Sequence, residues 1–258
     1  MRAITAVLLA FSMFSRLPVP RPEWSERNLK YALAAFPLVG AAIGFLFLLW
    51  GGLAAYLGFG PFLYGVVLAL LPLAVAGGIH MDGFCDTIDA LASRGDMQKK
   101  QAILKDPHIG SFAAVAASAY LLLFAALGSE LSGDWHGLMP LASACVLSRT
   151  LAGLATVTFP LARSDGLAGV FCKAADRKAV TLCLALWLLV VGAFMPVFGG
   201  WPGLLAVGGM FALFAVYRHI AMTEFGGNSG DLSGWFVQMS EIVSLLCLVV
   251  GQRAVELL

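Results

Sequence analysis

Asp82, Asp86 and Asp89 stand at i, i+4 and i+7 in the stretch His80-Met81-Asp82-Gly83-Phe84-Cys85-Asp86-Thr87-Ile88-Asp89. On a helix those offsets put three carboxylates on one stripe, within about 60° of one another. Like charges so placed repel, each close pair costing about 0.2–0.5 kcal/mol on an exposed helix and more where water is scarce. A bound divalent cation removes that cost. Oxygen-only ligation suits Mg2+ or Mn2+, hard ions that keep several waters and share their shells with substrate phosphates. The chemistry this predicts is displacement at phosphorus, with metal charge neutralising the leaving phosphate. Acids also solvate helix ends and favour the helix dipole. In a chain with 15 Asp and Glu among 258 residues, three acids on one stripe argue against that plainer reading.

Other residues join this stretch. His80 is placed to hydrogen-bond a carboxylate or a phosphate, and Gly83 lets a ligand approach the backbone. Lys105-Asp106-Pro107-His108-Ile109-Gly110-Ser111 runs straight into the next apolar segment. Lys105 and His108 are phosphate donors, and the helix start at Ser111 is an anion site. Ala162-Arg163-Ser164-Asp165-Gly166 and the glycine-rich turn Gly226-Gly227-Asn228-Ser229-Gly230-Asp231 face the same compartment. Such a turn cradles phosphate in other proteins, a weak signal by itself. Arg149 and Glu241 lie at membrane depth, where ionisable residues pair with each other or with substrate.

The elements that must carry these residues are membrane helices. The chain is 60% hydrophobic and 12% charged, against about 25% charged for a soluble domain. Apolar segments near 31–56, 62–79, 109–128, 137–159, 179–195, 204–222 and 235–252 predict an all-α polytopic membrane protein of six or seven transmembrane helices. Residues 1–258 read as one integral-membrane catalytic domain. The first span is either one long tilted helix or a helix broken at Pro37 and Gly40. Ala3–Phe14 is too short for a span and has no small-residue cleavage site, so it reads as an interfacial or re-entrant helix.

Lys and Arg divide unevenly between the loops. Arg2, Arg16, Arg21, Arg27 and Lys30 precede the first span; Arg94, Lys99, Lys100 and Lys105 lie in 80–108; Arg163, Lys173, Arg177 and Lys178 lie in 160–178. Loops 57–61, 129–136 and 196–203 have none. The positive-inside rule puts the charged loops, and with them the acidic stretch, on the cytoplasmic side. No basic tract suggests nucleic acid. Five cysteines without a C-x-x-C pair read as small apolar residues. A homo-oligomer is compatible with all of this, and nothing in the chain specifies one.

Taken together the pieces resemble the cobalamin synthase family, the adenosylcobinamide-GDP ribazoletransferases. The resemblance begins at Phe14-Ser15-Arg16-Leu17-Pro18-Val19-Pro20 and continues through Phe36-Pro37-Leu38-Val39-Gly40. Its most specific part is Gly77-Gly78-Ile79-His80-Met81-Asp82-Gly83-Phe84-Cys85-Asp86-Thr87-Ile88-Asp89, similar to the family's G-G-x-H-x-D-G-x-x-D-T-x-D. Lys105-Asp106 with Ile109-Gly110, then Ser148-Arg149, Arg163 with Asp165 and the Gly226–Asp231 turn follow in the family's order. Pro107-His108 replaces the usual Ser-Arg, which makes any phosphate contact there weaker and pH-sensitive.

The resemblance implies a Mg2+-dependent transferase in the bacterial inner membrane. A ribose hydroxyl of α-ribazole or its 5′-phosphate attacks adenosylcobinamide-GDP and GMP leaves. Asp82, Asp86, Asp89 and Asp231 are the expected metal ligands. His80, Asp82, Lys105, Arg149 and Arg163 are the expected catalytic residues. Asp106, His108, Asp165, Gly227, Ser229 and Glu241 are the expected substrate contacts. Two alternatives share parts of the pattern. Asp82-Gly83 echoes the start of the CDP-alcohol phosphotransferase signature D-G-x-x-A-R, but its later G-x-x-x-D-x-x-x-D half is missing. A secondary transporter would use Arg149 and Glu241 as coupling residues.

Overall fold

The computed structural model describes residues 2–162 and 166–257. The helices, in chain order, are α1 (Arg2–Phe14), α2 (Glu26–Leu29), α3 (Phe36–Leu57), α4 (Pro61–Ala76), α5 (Ile79–Ala92), α6 (Met97–Ile103), α7 (Ser111–Glu130), α8 (Trp135–Thr158), α9 (Leu167–Ala174), α10 (Arg177–Glu224) and α11 (Gly230–Glu256). A single bridge between Leu161 and Asn228 is the only β-type pairing among the described residues. The chain is an all-α polytopic membrane protein.

Apolar length decides which helices span. The segments Glu26–Leu57, Ser111–Glu130, Trp135–Thr158, Arg177–Glu224 and Gly230–Glu256 pass by length and hydropathy, and α4 with α5 is a further pair bent by 98°. At 48 residues, a straight α10 would be about 72 Å long, more than twice a bilayer's apolar thickness. It is not straight. Gly200 sits at φ 58°, ψ −139°, outside helical geometry. A Cβ added to Gly203 would lie 2.2 Å from the Met195 carbonyl oxygen, so the chain doubles back there. Counting its limbs before and after Gly200 separately gives seven crossings, with α1 as the short N-terminal helix.

The first span starts where a proline is harmless. Pro37 occupies the first turn of α3, where its missing N–H has no intrahelical partner to lose. The irregularity expected at Pro37 and Gly40 falls earlier, in a 3-10 turn at Ala32–Ala35. Gly40 lets α3 lie against α8, since a Cβ there would stand 2.2 Å from the Cys145 carbonyl oxygen. Between helices in lipid, small residues at the crossing supply the close contact that apolar burial cannot. α8 is the central post, walled by α3, α10 and α11 and buried along nearly its whole length.

The two ends of the bundle differ. At one end α11 meets the α10 turn, with Gly251 against Pro202, and Arg253 pairs with Glu130 at 2.7 Å. At the other end lie α1, α2, α5, α6 and α9 and the Gly226–Ser229 turn. Lys30 pairs with Asp176 at 3.2 Å there, and Lys100 pairs with Glu224. All of the acidic stretch lies at this second end.

Candidate active site

Gly77 and Gly78 create the site's geometry. Both adopt left-handed backbone, φ 63° and 82°, which glycine reaches without strain. They end α4 and turn α5 by 98°, so that it packs across the starts of α7 and α11. The segment after α1 locks this corner. The Arg16 N–H donates to the Val75 carbonyl at 2.7 Å. The Arg16 side chain lies over Gly77, where a Cβ would stand 2.2 Å from its Cγ.

α5 then crosses α11 backbone to backbone. A Cβ on Gly83 would lie 2.7 Å from the Asp231 carbonyl oxygen, and one on Gly234 would lie 2.9 Å from that of His80. Gly83 thus serves helix contact, not the approach of a ligand as its motif suggests. The crossing sets Asp231, in the first turn of α11, beside Asp82 and Asp86. Burial, then the charge of Asp82, then that of Asp231 and Asp89, push Asp86 up to about 7. A cation bound beside these carboxylates would relieve that repulsion.

Asp89 does something else. Its carboxylate accepts the Gly110 N–H at 2.6 Å and the Ala113 N–H at 2.9 Å. The anion at the α7 start is therefore Asp89 itself, which takes up two of the amides, those of Gly110 and Ala113, expected to hold a phosphate there. The glycine-rich turn is likewise committed. Gly227 N–H donates to Ala221 and Asn228 N–H to Pro160, at 2.8 and 2.7 Å. Gly227 permits close packing, since a Cβ would meet the Ala162 nitrogen at 2.4 Å. Ser229 caps α11 by accepting the Leu232 N–H at 3.2 Å. Tyr217 donates to Asn228 Oδ1 at 2.6 Å and anchors the turn.

Two cavities flank α5. One, of about 230 Å3, is lined mainly by apolar residues including Phe14, Phe36 and Phe171, with His80, Asp82, Ser229 and Asp231 on its wall. The other is an open groove of about 1030 Å3 that contains Arg16, Arg21, Asp82, Asp86, Pro107 and Ile109. Asp82 and Ile79 belong to both. Arg16 and Arg21 bring positive charge to a groove whose floor is acidic. They were legible only as part of the Phe14–Pro20 motif, because nothing in the sequence shows the segment folding back onto Gly77.

The remaining expected residues divide. Asp106 Oδ1 accepts the His108 N–H at 3.0 Å and contacts its Nδ1 at 2.7 Å, both side chains being exposed at the groove's rim. Those bonds hold Asp106 below the usual carboxylate range. Lys105 is exposed beside them. Arg149 and Glu241 are fully buried and paired to each other, with Tyr120 donating to Glu241 at 3.5 Å. Neither lines the cavities, so the pair braces α8 against α11. Arg163 and Asp165 lie outside the described residues.

Among the described residues, no three His, Cys, Asp or Glu converge as a ready-made metal cage. The fit is instead to an ion held on one side. Asp82 and Asp86 line the open groove, and Asp82 and Asp231 the smaller cavity, all of them offering only oxygens. That donor set suits Mg2+, whose remaining positions are filled by water and phosphate.

Seven apolar crossings, with an acidic stretch and two cavities sharing a carboxylate at one end of the bundle, describe an integral-membrane protein with a candidate site at that end. Comparison with known proteins narrows the class. The family model described as cobalamin-5-phosphate synthase matches residues 6–249, and the chain belongs to that family. An adenosylcobinamide-GDP ribazoletransferase of Lachnoclostridium phytofermentans is 37% identical over 257 residues, 99% of this chain and 97% of the relative. One from Pseudomonas paraeruginosa is 33% identical over 96% of this chain and 99% of its own length. One from Clostridium botulinum is 28% identical over 93% of this chain and 94% of its own. No solved structure matches.

Proposed function

We propose that the protein is an adenosylcobinamide-GDP ribazoletransferase of the bacterial inner membrane, with its site on the cytoplasmic face. It joins adenosylcobinamide-GDP to α-ribazole or its 5′-phosphate, releasing GMP and forming adenosylcobalamin or its 5′-phosphate. The observation that carries this reading is the meeting of two cavities of different size and polarity at Asp82. A two-substrate transfer needs two such sites with the reacting atoms between them.

Asp86 and Asp231, with Asp82, would hold Mg2+, whose charge would neutralise the pyrophosphate and the departing GMP. Arg16 and Arg21 bind phosphate oxygens from the opposite side of the groove. The Arg16 guanidinium is preorganised by its packing on Gly77, so little side-chain freedom is lost on binding. Asp82 stands where the attacking hydroxyl must emerge, and its carboxylate accepts the hydroxyl proton. Catalysis is then chiefly positioning and charge neutralisation. The lipid-headgroup alternative finds no support in the family membership, and the transporter reading loses its coupling pair to a structural contact.

The test supplies adenosylcobinamide-GDP, α-ribazole and Mg2+ to the purified protein in lipid and measures GMP and corrinoid product by HPLC. Stoichiometric GMP and product are expected. Absence of both from folded protein refutes the assignment. Arg16→Ala is expected to raise KM for adenosylcobinamide-GDP about tenfold, one lost charge-assisted contact.

A further inference from the structure

The smaller cavity has a built interior that the proposed chemistry has not yet used. Its volume of about 230 Å3 lies below the roughly 300–1,000 Å3 of pockets for drug-sized ligands, too small for a corrinoid. Three aromatic rings form one side of it: Phe14 lies 4.3 Å from Phe36 and 5.5 Å from Phe171 between ring centroids. His80 packs among them, 5.8 Å from the Phe36 ring and 6.5 Å from that of Phe14. It is 5% exposed, yet both of its ring nitrogens lack a hydrogen-bond partner. A buried polar group left unpaired is costly unless something else pairs it.

Resting on the ribazoletransferase reading, we propose that this cavity is the lower-base subsite. It takes the planar bicyclic base of the nucleoside against the wall formed by Phe14, Phe36 and Phe171, with His80 hydrogen-bonding the base's free ring nitrogen. Stacking on aromatic faces suits any flat heterocycle. His80 is the polar side chain set among these rings, so a base with one acceptor nitrogen is favoured over one whose further exocyclic donors would be buried against the rings unpaired. The ribose then leaves by the polar end of the cavity, past Ser229 and Asp231 to Asp82. The guanylylated corrinoid occupies the groove beyond.

The experiment varies each substrate separately in purified enzyme. Val237→Phe, which fills the cavity from α11, is expected to raise KM for α-ribazole at least tenfold and leave KM for adenosylcobinamide-GDP within twofold. His80→Leu is expected to do the same, with His80→Gln recovering part of the loss. A rise in the corrinoid KM instead, or an unchanged ribazole KM in folded variants, overturns the proposal. Unmodified protein is also photolabelled with an azidobenzimidazole riboside, so a variant that fails to fold does not end the test. Labelling of Phe14, Phe36 or Phe171 supports the subsite, and labelling confined elsewhere refutes it. The function itself fails by a different result, wild-type enzyme that releases no GMP from the two substrates.

Discussion

Gly83→Ala tests the site's architecture without touching a charged group. The substitution adds one methyl where α5 crosses α11. That Cβ would lie 2.7 Å from the Asp231 carbonyl oxygen and 2.8 Å from its Cα, against 3.4–4 Å for ordinary contact. The obstruction is backbone, so no side chain can swing away and the two helices must part by about 0.7 Å. Two effects oppose each other in stability. Ala is favoured over Gly inside a helix by about 1 kcal/mol, while overpacking costs about 1–3 kcal/mol. The expected net loss is therefore modest, roughly 0–2 kcal/mol. The effect on catalysis is larger in proportion, because the displacement separates Asp231 from Asp82 and Asp86. A misplacement near 1 Å costs about a hundredfold in rate, so 0.7 Å should cost about 10–50-fold in turnover, or about 1.4–2.3 kcal/mol of barrier. GMP release by the purified variant at saturating substrates is the assay. Gly52→Ala, where a Cβ meets nothing within 4 Å, is the control. Normal turnover from Gly83→Ala, in protein as folded as the control, would refute the claim that this crossing sets the carboxylates.

Asp89→Ala should lower stability by about 2–4 kcal/mol, since it removes two charge-assisted bonds to backbone amides; Asp82→Ala should leave stability within about 0.5 kcal/mol while cutting turnover about a hundredfold. Chemical denaturation beside HPLC separates the two, and equal destabilisation by both would be the wrong result. Arg149→Met alone should cost about 3–5 kcal/mol by stranding Glu241, and the double change to Met at both positions should recover most of it; thermal unfolding in lipid measures this. Without a metal, burial and the charges of Asp82, Asp231 and Asp89 push Asp86 up to about 7, above the ordinary carboxylate value of 3.8. Its contribution to stability is therefore full below about 3.8 and is lost as pH rises through about 7. The melting temperature should fall across that window, Asp86→Asn should flatten the fall, and Mg2+ should offset it at neutral pH.

Much of this fold is legible in the sequence because the bilayer imposes simple rules. Apolar length and Lys/Arg asymmetry place the spans, and the reversal within α10 falls between the two segments read near 179–195 and 204–222. Of the two readings of the first span, the unbroken one holds through Pro37 and Gly40; the sequence alone could not choose, because a proline in the first helical turn and one inside a helix look alike without knowledge of where the helix starts. In the site, the offsets of Asp82 and Asp86 suffice to join them. The same periodicity puts Asp89 on the stripe, and only the packing of α7 shows its oxygens spent on Gly110 and Ala113. The glycines mislead for a related reason. Gly83 and Gly227 read as room for a ligand, whereas the room is filled by neighbouring backbone. Arg16 is invisible as a site residue because its place depends on a long-range fold-back that no local pattern encodes.

The contrast between the bundle's ends bears on traffic. Where the chain ends, Pro202, Gly251 and the Arg253–Glu130 pair close the helices upon one another, while both cavities lie at the opposite rim. Among the described residues, both cavities therefore belong to one end of the bundle. On the proposed function, substrates and products would share that end, and catalysis would move nothing across the bilayer. A corrinoid finished there would stay in the compartment that supplied it.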